Sequence, residues 1–154
     1  MTTPVNFELA KLLKEKSFNI PTRNYYEHAL TSKKDKETND YKGAFGWKKG
    51  ETNLHSGYFI NRGKDSDFSN KNWFMCSAPT ISEVVMWLYE KHGIWVNVNV
   101  TRYGKFWCNI IVKESCKDLK NPFTWEFTNQ LNDFNSPTEA YQSAIEYVLK
   151  NLIK

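Results

Sequence analysis

TISEVVMWLYEKHGIWVNVNVTRYGKFWCNIIV, residues 80–112, decides the fold. Thr80-Ile81-Ser82-Glu83 is a capping box, in which the Thr80 hydroxyl accepts from the Glu83 backbone N–H and the Glu83 carboxylate reaches back to the N–H of Thr80. A helix therefore starts here. Ile81, Val84, Val85, Leu88 and Tyr89 form one apolar stripe at helical spacing, and Gly93 after His92 supplies the left-handed residue that ends it. From Ile94 the period changes to two. Ile94, Val96, Val98 and Val100 alternate with Trp95, Asn97, Asn99 and Thr101, the pattern of a strand with one buried face.

A partner strand follows at Phe106 to Lys113, and the connection sets the register. A two-residue Tyr103-Gly104 turn would put Val96, Val98 and Val100 on one face with Trp107, Asn109 and Ile111, splitting the apolar set. A three-residue Arg102-Tyr103-Gly104 loop, with Gly104 left-handed in a bulge, instead aligns the four aliphatics with Phe106, Cys108, Ile110 and Val112. This register is the expected one. It gathers Trp95, Asn97, Asn99, Trp107, Asn109 and Ile111 on the opposite face, with Arg102 and Tyr103 at the tip.

Outward from the hairpin, Phe123, Trp125 and Phe127 alternate with polar residues and predict a third strand over Phe123 to Thr128. Ser136-Pro137-Thr138-Glu139 then opens a C-terminal helix with a Ser cap and Pro at its first position; Tyr141, Ala144, Ile145, Val148 and Leu152 are its buried stripe. Toward the N-terminus, Asn6 caps a helix carrying Leu9, Leu12, Leu13 and Lys16 at helical spacing, closed by Phe18 and Pro21. Residues 19–76 read as short strands (Arg23 to Leu30, Tyr41 to Trp47, Gly57 to Ile60, Asn72 to Cys76) joined by long loops, and the polar run Lys33 to Asp40 as a mobile tip. The expected architecture is a single α+β domain over residues 1–154. It has an N-terminal helix, an irregular strand-rich middle, and a helix, three-stranded antiparallel meander and C-terminal helix packed on one sheet face.

Composition fits that picture. A domain of 154 residues buries roughly 68–70% of its unfolded surface, and 6 Trp, 8 Tyr and 10 Phe supply large side chains to a chain only 40% apolar. The net charge of +4 is too small for a dedicated duplex-binding surface, and Arg stands only at 23, 62 and 102. Three cysteines without paired spacing argue against a secreted disulfide framework, and no stretch reads as a signal peptide or a membrane span. A reducing cytosol without membrane contact is the expectation.

The stretches Ser77 to Thr80, Glu83 to Val96, Ser136 to Tyr141 and Asn151 to Ile153 resemble a set of uncharacterised small proteins of bacteriophages and prophages of Bacteroidota. The resemblance covers about half the chain. It rests on caps and core positions, so it implies a shared fold and a phage-encoded accessory protein in the bacterial cytoplasm, and carries over no site.

Motifs for chemistry are missing. Cys76, Cys108 and Cys116 lack CxxC spacing, and His28, His55 and His92 are scattered; His92 lies in a last helical turn, where an imidazolium gains from the helix dipole. Neither Cys76 nor Cys116 sits in a local nucleophile motif, although a Cys–His pair could be assembled in space. The glycines of Lys42 to Gly50 lack phosphate-loop spacing, so no cofactor or metal is expected. Binding is better supported, since aromatic rings stack bases while basic groups neutralise phosphate. The candidate ligand-binding residues are Trp95, Asn97, Asn99, Arg102, Tyr103, Trp107 and Asn109, with Trp47 and Arg62 as weaker additions. The competing reading of the hairpin face is cover by the N-terminal segment or by a second copy, as in a homodimer.

The expectation is thus a non-enzymatic accessory binding protein, an inhibitor of host defence that sequesters a small nucleotide-like signal or occludes a host protein. The alternatives are a single-stranded nucleic-acid binder and a small hydrolase or nuclease with a dispersed site.

Overall fold

Among the described residues, two antiparallel three-stranded sheets and three helices form an α+β fold. The computed structural model describes residues 2–30, 50–61, 73–112 and 127–153. In chain order the elements are α1 (Phe7–Glu15), β1 (Thr22–Ala29), β2 (Thr52–Phe59), β3 (Trp73–Ser77), α2 (Ile81–His92), β4 (Ile94–Val100), β5 (Phe106–Val112), β6 (Phe127–Phe134) and α3 (Pro137–Asn151). The first sheet has the order β2-β1-β3 and the second β4-β5-β6.

Each helix starts where its cap dictates. Asn6 Oδ1 accepts from Leu9 N at 2.9 Å, Thr80 and Glu83 close a full capping box, and Ser136 Oγ accepts from Glu139 N with Pro137 at the first position. Gly93 ends α2 at φ 65°, ψ 25°, a left-handed conformation that costs a residue with a Cβ about 1 kcal/mol or more. The chain turns there directly into β4.

α3 lies on all three strands of the second sheet, α2 packs against β4 and α3, and α1 joins α3 to β3 of the first sheet. Their apolar faces merge into one buried cluster running from Val5, Leu9 and Leu13 through Phe18, Trp87 and Leu88 to Val96, Ile110, Ile145 and Val148. The N-terminal segment is pinned by Val5 N to Pro79 O (2.9 Å) and Ile81 N to Thr3 O (3.1 Å), while Tyr26 Oη donates to Val5 O (2.8 Å). Among the described residues no helix is long and apolar enough to cross a membrane.

Several expectations are corrected. The third strand of the meander continues past the expected end at Thr128, its described part being Phe127–Phe134; residues 123–126 lie outside those described, as do Tyr41 to Trp47 and Lys33 to Asp40. Tyr89 is exposed, and Trp87 takes its place in the core of α2. Tyr141 and Leu152 are only partly buried on α3, where Ala140 and Leu149 are sealed.

On α1 the buried positions are Leu9, Ala10, Leu13 and Lys14, with Lys16 only half-buried. Lys14 is 4% exposed, its Nζ donating to Met75 O at 2.8 Å and lying 4.5 Å from the Phe74 ring centre. Burial pushes the ammonium pKa down, with Cys76 opposing. A second polar side chain, the buried Asn61, donates to Phe18 O and accepts from Ser77 N, both at 3.0 Å. The Lys14–Met75 and Asn61–Ser77 contacts fall on β3, whose strand partner among the described residues is β1 alone. They occupy groups that an edge strand would otherwise offer to another chain.

Candidate functional site

The hairpin has the register that the apolar alternation demands. β4 and β5 pair Ile94 with Val112, Trp95 with Ile111, Val96 with Ile110, Asn97 with Asn109, Val98 with Cys108, Asn99 with Trp107 and Val100 with Phe106. Thr101 N donates to Lys105 O (2.7 Å) and Gly104 N to Thr101 O (3.0 Å), closing the three-residue loop with Gly104 at φ 75°. The Thr101 hydroxyl oxygen accepts from the N–H groups of Tyr103 and Lys105, which fixes the tip.

Side chains therefore sort by parity. Ile94, Val96, Cys108 and Ile110 are buried against the helices, although the inward set fades toward the tip, where Val100 is 62% exposed. The other face carries three successive rows: Trp95 beside Ile111, Asn97 beside Asn109, and Asn99 beside Trp107. On β6, Gln130 is the register partner of Asn109.

Trp95 is 39% exposed and is held by an edge-to-face contact with Tyr89 of α2, ring centres 5.4 Å apart. Trp107, Asn97 and Asn99 are half-buried. Asn109, at the centre, is only 7% exposed, which departs from the open position expected of it. Among the described residues, the carboxamides of Asn97, Asn99 and Asn109 make no side-chain hydrogen bond. These carboxamides keep contact with solvent, so the row offers free donors and acceptors to a ligand. No carboxylate belongs to the three rows of β4 and β5.

At the tip, Arg102 lies over the Tyr103 ring at 4.7 Å and has no carboxylate partner among the described residues, whereas Lys105 Nζ donates to Asn135 Oδ1. The structure thus brings together Trp95, Asn97, Asn99, Arg102, Tyr103, Trp107 and Asn109 on one hairpin. Trp47 and Arg62 lie outside the described residues.

Among the described residues the thiols and imidazoles do not converge. Cys76 and Cys108 are buried, and Cys116 lies outside the described residues. Burial pushes the Cys76 thiol up to about 12, with Lys14 and Lys11 only partly offsetting it, which makes it a poor nucleophile at neutral pH. This shift has a sign that stability can report. The unfolded thiol ionises above pH 9.0 while the folded one stays protonated, so its contribution is complete below pH 9.0 and is lost as pH rises toward about 12. By pH 10.5 the loss should reach about 2 kcal/mol in urea unfolding. Cys76→Ala should flatten that slope; an equal slope in the variant would refute the assignment.

His28 stacks on Phe7 (4.8 Å) with Nδ1 2.6 Å from Thr52 Oγ1. His55 stacks on Tyr25 (5.2 Å), its Nε2 3.2 Å from Glu27 Oε2. His92 meets Trp87 edge-on at 4.7 Å; burial and then Lys91 push its pKa down, so desolvation outweighs the helix-dipole gain expected there. Among the described residues no three of His, Cys, Asp and Glu form a metal-binding group. No family model, curated protein or solved structure matches this chain.

Proposed function

We propose that the protein is a non-enzymatic binding protein that captures a nucleotide-like ligand on the outer face of the β4–β5 hairpin. The observation that carries this reading is the row of asparagine carboxamides without side-chain hydrogen bonds among the described residues, set between two tryptophans. Indole faces stack a base, carboxamides complement its donor and acceptor edge, and the Arg102 guanidinium accepts a phosphate in a planar fork. The resemblance to phage-encoded proteins adds a setting: capture of a nucleotide signal in the bacterial cytoplasm would blunt a host response. Occlusion of a host protein, and a homodimer closing the face with a second copy, are the competing occupants.

Native mass spectrometry of the chain purified from infected bacterial cells tests all three. A retained small mass absorbing near the nucleobase band supports the proposal, and Arg102→Ala should lower its occupancy several-fold while leaving the thermal unfolding midpoint in place. A ligand-free dimer, or a retained host protein, would overturn the proposal. Turnover of nucleotide by the pure protein would promote the hydrolase reading instead.

A further inference from the structure

The register fixes how far apart the two tryptophans stand. Trp95 belongs to the row with Ile111 and Trp107 to the row with Asn99, four residues further along β4. At the rise of an antiparallel strand, about 3.4 Å per residue, the rows are about 14 Å apart, and the indoles sit on different strands as well. One base cannot touch both rings. Nucleotides stacked as in a duplex advance about 3.4 Å each, so the gap equals about four stacked steps. The Asn97–Asn109 row fills that gap with amides and no ring.

We infer that the ligand is an unstacked single strand of at least three nucleotides. One base stacks on Trp95, one on Trp107, and the intervening nucleotide lies over Asn97 and Asn109 with its base edge hydrogen-bonded. This rests on the nucleotide-binding reading above and narrows it from a mononucleotide to a strand. Two observations favour a polyanion of this form over an apolar or cationic occupant. The rows of β4 and β5 hold no carboxylate, and Arg102 at the end beyond Trp107 has no acidic partner among the described residues. Tyr89 against Trp95 holds the far indole in place before the strand arrives, so little order is lost on binding there.

The test is displacement of a labelled thymidylate hexamer from the full chain by unlabelled thymidylates of one, two, three, four and six nucleotides, followed by fluorescence anisotropy at low salt. Affinity should rise at least ten-fold between two and four nucleotides and little beyond. Trp107→Ala should weaken the longer strands about 10- to 100-fold, and Trp95→Ala should abolish the step between two and four. Should Trp95→Ala unfold, Trp95→Leu keeps an apolar contact for Tyr89 and removes the stacking ring. If the mononucleotide competes as well as the tetramer and Trp95 variants bind normally, the strand inference fails and the mononucleotide reading stands. If neither the hexamer nor the mononucleotide binds, both fail.

Discussion

Val96→Asp should leave no folded protein, whereas Asn97→Asp, one residue along the same strand, should fold normally and lose its affinity for an oligonucleotide. Val96 is 1% exposed in the cluster that holds Ile110, Ile145 and Val148. A carboxylate there has no cation to pair with among its apolar neighbours, and it must either desolvate as an ion or take up a proton. Either course costs several kcal/mol, comparable with the ~5–15 kcal/mol that a domain of this size has in total. Asn97 faces the opposite way and is half-buried, so its replacement alters no core contact. The new charge instead meets a polyanion across the middle row and should weaken binding at least ten-fold, more at low salt than at high. Circular dichroism and the anisotropy titration read the two effects separately. A folded Val96→Asp protein would place β4 the other way round; unaltered binding by Asn97→Asp would take the ligand off this face.

Asn61→Ala is expected to destabilise the chain by about 2–4 kcal/mol, a large effect for a position after the end of β2 that no core pattern marks. Its carboxamide ties Phe18 O, beyond the end of α1, to Ser77 N, at the end of β3. Truncation strips a buried acceptor and a buried donor of their partners together, each worth about 1–3 kcal/mol, and the site is too closed for water to replace both. Asn61→Asp separates geometry from chemistry, since it keeps an acceptor for Ser77 N but presents an oxygen to Phe18 O. Urea unfolding should rank wild type above Asn61→Asp, with Asn61→Ala destabilised as predicted. A loss below about 0.5 kcal/mol for the alanine variant would show that the clamp carries no stability.

The second sheet was legible because its determinants are local. Strict alternation over Ile94 to Val100, a glycine four residues beyond the strand, and caps at Thr80 and Ser136 each act within a few residues of themselves. Even the register followed, because only one loop length kept Val96 and Val98 with Cys108 and Ile110. β6 was legible only at Phe127 and Thr128 for the same reason. Phe123, Trp125 and Phe127 alternate well, but Phe127–Phe134 reads FTNQLNDF, and its position comes from pairing with β5. The first sheet depends on contacts across long separations: β1 joins Thr52–Phe59 on one side and Trp73–Ser77 on the other. β2, TNLHSGYF, has no clean period of its own. Buried Lys14 was hidden too, because a lysine among helical leucines reads as solvent-facing until the carbonyl of Met75 is placed beneath it.

The candidate face was legible in outline, because its residues are the odd-numbered complement of a recognisable core strand. Its central feature was not, since the sealing of Asn109 depends on neighbours across the sheet.

The two polar contacts on β3 make the first sheet one-sided. With Met75 O held by Lys14 and Ser77 N held by Asn61, a further strand finds no continuous ladder there, and the lysine charge would be stranded if it were displaced. Among the described residues, lengthening of this sheet is therefore steered to β2, where Leu54 and Tyr58 stand exposed. Mispairing between newly made chains is then a hazard confined to one border, guarded on the other from the moment the first helix docks.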